Sequence, residues 1–320
     1  MAHRALASAW RVAEACSSPR RYPGSRRSPS LARARLPARC RSAETAATAE
    51  TLPSGWVEEN ADAASLREHY EREGWVVVRG VADAALVDAL HAATDALEEE
   101  AKTFTRSRRH RGVFFETQSA SGRKSDNAIR AGALRKIGSP SKRGGAFAAL
   151  VRSERIRDIA RTVCLSETNS TLRCAVDQVN TKAPFSEGSG FAWHQDASFL
   201  KPLARAEFDL FGGVNVVVAM DASDSQNGGF EVLGRTHREG EAPKSLRDAY
   251  DGAVESVSAL QNVAGTKKKA LFDESFRVCP ALLPGDAVFF HPMLAHGSGR
   301  NASARRRRIA TLWYVAHREG

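Results

Sequence analysis

Beyond residue 50 the chain shows two textures of apolar and polar positions. Leu86, Leu90, Ala93 and Leu97 recur at helical spacing behind Asp83, an N-cap residue type, and predict a helix to about Lys102. A shorter helix is predicted over 62–73, stopped by Gly74, with the β-branched run Trp75–Arg79 as a strand behind it. Ile156, Ile159 and Val163 mark a third amphipathic helix, while RSRRHRG (106–112) and SKRGG (141–145) read as loops. From residue 171 the pattern changes to short apolar runs at 171–181, 190–194, 213–220, 229–233, 276–283, 286–291 and 306–316. Gly, Pro, Asn and Asp separate them. Strands at this spacing, without long helices between them, predict an antiparallel sandwich or jelly roll. The coarse expectation is a mainly β protein with N-terminal helices. The exception is 238–275, a charged, helix-capable insertion ending in Lys267–Lys269, which reads as a lid because loops of this length are commonly functional.

The first forty residues change the picture of charge. The chain of 320 residues has a net charge of +10, but ten of its 47 basic and one of its 37 acidic residues fall within 1–41. The balance is therefore +9 in that segment and +1 beyond it, which argues against nucleic acid as a partner. The segment opens MAHRALASAWRVAEA, with Leu6 and Trp10 one helical turn apart and Glu14 as its only acid. Such an amphipathic, Arg-rich start reads as an organelle transit peptide over 1–45, mitochondrial first and plastid second, with a disordered basic tail as the alternative. One domain is expected over 55–320. No run approaches 18 consecutive apolar residues, so no helical membrane span is expected. Five cysteines without a C-x-x-C pair argue against a disulfide scaffold or a cysteine zinc site.

Candidate chemistry concentrates in the β half. In Phe191-Ala192-Trp193-His194-Gln195-Asp196, residues two apart in an extended chain point the same way, so His194 and Asp196 can aim at one point. Imidazole plus carboxylate suits Fe(II), Mn(II) or Zn(II), although an isolated H-x-D is a weak signal. The segment Pro284-Gly285-Asp286-Ala287-Val288-Phe289-Phe290-His291-Pro292 reads as a turn and a strand, with His296 at the Gly-rich exit as a third ligand. His291 is the rival; preceding Pro292, it reads as a packed or surface histidine. Arg305–Arg308 run directly into the apolar strand 309–315, whose alternation must turn some guanidinium groups inward, where they need a carboxylate partner.

Together, WHQDA, the Asn227-Gly228 turn, Gly234-Arg235-Thr236-His237, PGDAVFF and HGSGRN with its arginines resemble the phytanoyl-CoA dioxygenase family. The resemblance covers roughly 65–318 and is most specific in 191–199 and 284–308. It implies a double-stranded β-helix (a cupin-like jelly roll) and an Fe(II)- and 2-oxoglutarate-dependent oxygenase, with O2 as co-reactant and ascorbate as a supportive reductant. The iron ligands would fall on His194, Asp196 and His296. The arginine gripping the C5 carboxylate of 2-oxoglutarate would be Arg307, assisted by Ser298, and a further co-substrate contact would fall on Lys136. Gln178 and Asn180 are weaker pocket candidates. Two departures from the family pattern stand out: Leu233 replaces a proline, and 214–218 (VNVVV) lacks a frequent tryptophan. Relatives that halogenate carry a small residue in place of the carboxylate, so Asp196 implies hydroxylation.

The substrate expected is a small molecule. The loops 106–111, Lys142-Arg143 and Lys267–Lys269 read either as a basic rim for an anionic acyl-CoA or carrier-bound acyl group, or as solvated surface. A non-catalytic binding module on the same fold is the alternative reading.

Overall fold

The computed structural model describes residues 62–119, 129–164, 170–186, 189–200, 202–239 and 274–318. Residues 1–45, read as a transit peptide or a basic tail, nearly all of the insertion 238–275 and Lys267–Lys269 lie outside them.

Helix α1 (Ala63–Glu73) starts where Asp62 accepts from the amides of Ala64 and Ser65, and ends where Gly74 adopts φ +82°. Strand β1 (Trp75–Val78) follows, then α2 (Ala84–Ala101), whose N-cap Asp83 accepts from the Leu86 amide. The remaining helices are α3 (Gly145–Val151), α4 (Glu154–Cys164) and α5 (Pro202–Phe211). The other strands are β2 (Arg108–His110), β3 (Val113–Ser119), β4 (Ile129–Gly138), β5 (Ser170–Lys182), β6 (Phe191–His194), β7 (Gly213–Ala219), β8 (Glu231–Leu233), β9 (Arg277–Val278), β10 (Ala287–Phe290), β11 (His296–Ser298) and β12 (Arg307–Arg318).

They form two antiparallel sheets. The larger runs β1-β10-β7-β12-β5-β4-β3-β2 and the smaller β6-β11-β8-β9. Alternation along the central strands sorts side chains to two faces. Val76, Val214, Val216, Val218, Phe289, Ala310, Leu312 and Tyr314 pack outward against Leu66 and Tyr70 of α1, Val87, Leu90 and Leu97 of α2, and Ile156, Ala160 and Val163 of α4. The opposite face turns Trp75, Val77, Val217, Val288, Phe290 and Ile309 toward Val232 of the smaller sheet. This is the predicted jelly-roll layout, with a helical layer over one face of the large sheet.

The Pro284-Gly285-Asp286 turn locks β10 to β1. Gly285 has φ +91°, and a Cβ there would lie 2.3 Å from the Ala82 carbonyl, so only glycine fits. Asp286 accepts from the amides of Gly80 (3.1 Å) and Leu283 (2.7 Å) and pairs with Arg79.

Two expectations need correction. The segment 106–112 is not all loop, since Arg108–His110 pair with Val113–Phe115 as a short edge strand. Nor is the N-terminal part simply helical, because β2, β3 and β4 extend the large sheet beyond β5. Polar side chains disguised these strands; backbone hydrogen bonding defines them.

Candidate metal centre

β6 and β11 are antiparallel neighbours, and His296 lies directly opposite His194. Their ring centroids are 4.2 Å apart. Asp196 opens a 3-10 turn, Asp196–Phe199, anchored where the Ala197 amide donates to the Pro292 carbonyl (3.0 Å) and Gln195 donates to that of Met293 (2.7 Å). Its carboxylate reaches both rings: Oδ1 is 3.3 Å from His194 Nε2 and Oδ2 is 3.6 Å from His296 Nε2. One donor atom from each of His194, Asp196 and His296 falls within 4.8 Å of the others, the only such group of three or more His, Cys, Asp or Glu among the described residues.

The backbone sets the tautomers. His194 Nδ1 lies 2.7 Å from the Ala192 carbonyl oxygen, and His296 Nδ1 lies 2.9 Å from that of Leu294. A carbonyl can only accept, so each Nδ1 carries a hydrogen and each Nε2 is the ring nitrogen left facing the carboxylate. Phe230 and Phe290 pack 5.5 and 4.7 Å from the His296 ring, and Phe199 lies 5.8 Å from that of His194. Burial, reinforced by His194 and offset by Asp196, depresses His296 to about 4, which keeps its ring neutral. Burial pushes the Asp196 carboxyl up, but His296, His194 and Lys136 outweigh it and hold it below the ordinary carboxylate value. Two imidazoles and one carboxylate are a donor set that fits Fe(II).

A second feature is built beside Ser298 at the far end of β11. Arg307 and Lys182 face each other across β12 and β5, both with no exposed surface. Arg307 donates to the Gly228 carbonyl through Nε (3.2 Å) and Nη2 (2.5 Å), while its Nη1 is buried without a partner. Lys182 Nζ donates to the same carbonyl (2.9 Å), to Ser298 Oγ (2.8 Å) and to the Gly299 carbonyl. Neither cation makes an ion pair among the described residues. Burial pushes the Arg307 guanidinium down to about 10, and burial together with Arg307 pushes the Lys182 ammonium well below its ordinary range. Two buried cations sharing one neutral acceptor make a candidate anion pocket, for which Nη1, without a partner among the described residues, would supply a donor.

The other predicted residues are placed as follows. Lys136 on β4 lies opposite Asn180 and pairs with Glu116 Oε2 at 3.0 Å. Gln178 lies opposite Thr311, and Asn180 donates to the Thr311 hydroxyl at 3.2 Å. His291 is apart from the triad, its ring near Tyr70, Phe208 and His237. Of the arginine run, Arg305 pairs with Asp224, Arg306 with Glu98 and Arg308 with Asp221 and Asp95, leaving Arg307 alone in the anion pocket. Lys182 escaped the sequence reading altogether. The signal available was a lysine at the end of a strand whose last residues lie opposite the arginine run.

The fold and triad define a mononuclear, non-haem type of metal centre on a jelly roll. The chain belongs to the phytanoyl-CoA dioxygenase family, whose model matches residues 70–309. Among curated proteins it is similar to the probable alpha-ketoglutarate-dependent hypophosphite dioxygenase of Stutzerimonas stutzeri, at 26% identity over 57% of this chain and 57% of that protein. It is also similar to L-proline trans-4-hydroxylase of Streptomyces griseoviridis, at 28% identity over 40% of this chain and 49% of that protein. The matches thus span about half the length of these relatives. Among solved structures, EvdO2 from Micromonospora carbonacea var. aurantiaca complexed with 2-oxoglutarate superposes with a TM-score of 0.51 at 21% identity, covering 79% of this chain and 91% of that one. That likeness supports the fold.

Proposed function

We propose that this protein is an Fe(II)- and 2-oxoglutarate-dependent dioxygenase that hydroxylates a small molecule. One observation carries the reading: a two-histidine, one-carboxylate donor set and an uncompensated buried cation pair are joined by the three residues of β11, His296 at one end and Ser298 at the other. A metal-binding end and a carboxylate-binding end are what a chelating dicarboxylate requires.

His194, Asp196 and His296 would hold the iron. With 2-oxoglutarate and O2 bound, iron supplies the oxidation of a substrate C–H, and succinate and CO2 leave. Arg307 and Lys182 would grip the C5 carboxylate, with Ser298 of β11 accepting from Lys182, so the co-substrate is held in one orientation toward the triad. Phe199, Phe230 and Phe290 crowd the two imidazoles and restrict water around them. A binding module would need neither the three converging donors nor the two unpaired cations.

An anionic end on the substrate is supported by the exposed side chains of Arg106, Arg108 and Arg109 around β2. Arg143 adds less, since it is engaged by Glu100.

The test is succinate release from 2-oxoglutarate with Fe(II) and ascorbate, screened with thioesters of CoA and with uncharged candidates. Stimulated release identifies the substrate class, whereas no release with or without any candidate rejects the reading.

A further inference from the structure

Asp196 is held from behind by Asn215, a residue to which no role has yet been attached. Asn215 lies on β7 with Phe290 and Trp313 as its cross-strand neighbours, and it is 1% exposed. Its Nδ2 donates to Asp196 Oδ2 at 2.6 Å. With its NH2 turned to the carboxylate, the amide points Oδ1 away. That oxygen is buried and has no hydrogen-bond partner among the described residues.

The surrounding sequence makes this amide conspicuous. Strand β7 reads VNVVV over 214–218, and every residue of it is buried. At such a position an apolar side chain would satisfy the strand better than an amide with one end unmatched, because an unpartnered buried acceptor is destabilising. Fold stability alone therefore does not account for Asn215; its single hydrogen bond to a metal-facing carboxylate does.

We propose that Asn215 is a positioning residue of the metal centre, on the reading that the triad binds a divalent metal. By engaging Oδ2 it fixes the rotation of the Asp196 carboxylate and leaves Oδ1, 3.3 Å from His194 Nε2, as the oxygen offered to the ion. A carboxylate so restrained ligates through one oxygen, which leaves more of the coordination sphere for co-substrate and O2. Without the amide, the carboxylate is free to rotate between one-oxygen and two-oxygen ligation.

The test compares wild type with Asn215→Leu, which is nearly isosteric, and Asn215→Val, which matches the neighbouring residues. Two quantities are read: the Kd for Mn(II) by calorimetry and the Tm of the metal-free protein. Loss of an outer-shell partner is expected to weaken metal binding roughly tenfold to a hundredfold. The metal-free Tm should stay level or rise in at least one variant. Mn(II) affinity within twofold of wild type in both variants would overturn the assignment, as would a lowered metal-free Tm in both, which is what a structural amide would give. Wild-type protein that binds no Mn(II) would overturn the dioxygenase reading and this inference with it, so the two failures are distinguishable.

Discussion

Arg307 and Lys182 are directly opposed on β12 and β5, and both donate to one acceptor, the carbonyl of Gly228. Two buried like charges without a counter-ion among the described residues are suited to receive an anion. Removing either cation should weaken 2-oxoglutarate more than it weakens the fold. A charge-assisted hydrogen bond in a buried site contributes about 1.5–3 kcal/mol. Arg307→Ala and Lys182→Met should therefore raise the KM for 2-oxoglutarate roughly tenfold to a hundredfold. Arg305→Ala should leave it nearly unchanged, since that side chain is half-exposed and pairs with Asp224. Equal effects from Arg305 and Arg307 would contradict the pocket.

Gly228 is constrained by conformation as well as by space. It has φ +72°, and an added Cβ would lie 2.6 Å from the Gly299 carbonyl oxygen. Gly228→Ala should cost on the order of 1–3 kcal/mol in backbone strain, or several degrees in Tm for a domain of this size. The same substitution displaces the shared acceptor, so the KM for 2-oxoglutarate should rise in parallel. A stable variant with an unchanged KM would show that the turn does not position the cations.

His291 supplies a stability signal away from the triad. Its ring borders a cavity of about 270 Å³ that is also lined by Tyr70, Glu71, Cys164 and His237. Burial, reinforced by His237, depresses its pKa to about 4 from 6.5. The native state then binds fewer protons than the unfolded chain between about pH 4 and 6.5. The contribution is complete above the upper value and is lost as pH falls toward the lower. Between pH 7 and pH 5 this histidine should account for about 2 kcal/mol of lost stability. His69 and His237, both depressed first by burial, act in the same direction. Urea titrations of wild type and His291→Asn should show a shallower pH dependence in the variant; parallel curves would assign the acid sensitivity elsewhere.

The architecture was legible where one face of an element is uniformly apolar. The runs at 171–181, 213–220 and 306–316 became β5, β7 and β12, and Leu90 and Leu97 lie in the buried stripe of α2 with Val87 and Thr94, while Leu86 and Ala93 are half-buried beside it. Strands β3 and β4 were not legible, because Glu116 and Lys136 pair across them and interrupt the apolar alternation. The His194–Asp196 pair could be read because the two are two residues apart, although Asp196 opens a 3-10 turn where an extended chain was expected. The anion pocket could be read only in half: Arg307 stood out through family spacing, but its pairing with Lys182 is a fact of register between distant strands. Asn215 was hidden for a similar reason, since its meaning lies in a contact with Asp196 across the sandwich.

The first 45 residues carry their own expectation. Their arginine-rich, acid-poor composition suits organelle import. A fluorescent reporter fused to residues 1–50 should accumulate in mitochondria, with plastids as the second destination. Diffuse cytosolic signal would contradict this.

The central claim is that His194, Asp196 and His296 share one divalent ion. It is tested most directly by iron-edge anomalous diffraction from crystals grown without oxygen in Fe(II) and 2-oxoglutarate. The expected map holds a single strong peak within bonding distance of His194 Nε2, His296 Nε2 and an Asp196 carboxylate oxygen, and that peak is lost in Asp196→Ala. A peak elsewhere, or one that survives the substitution, would contradict the claim.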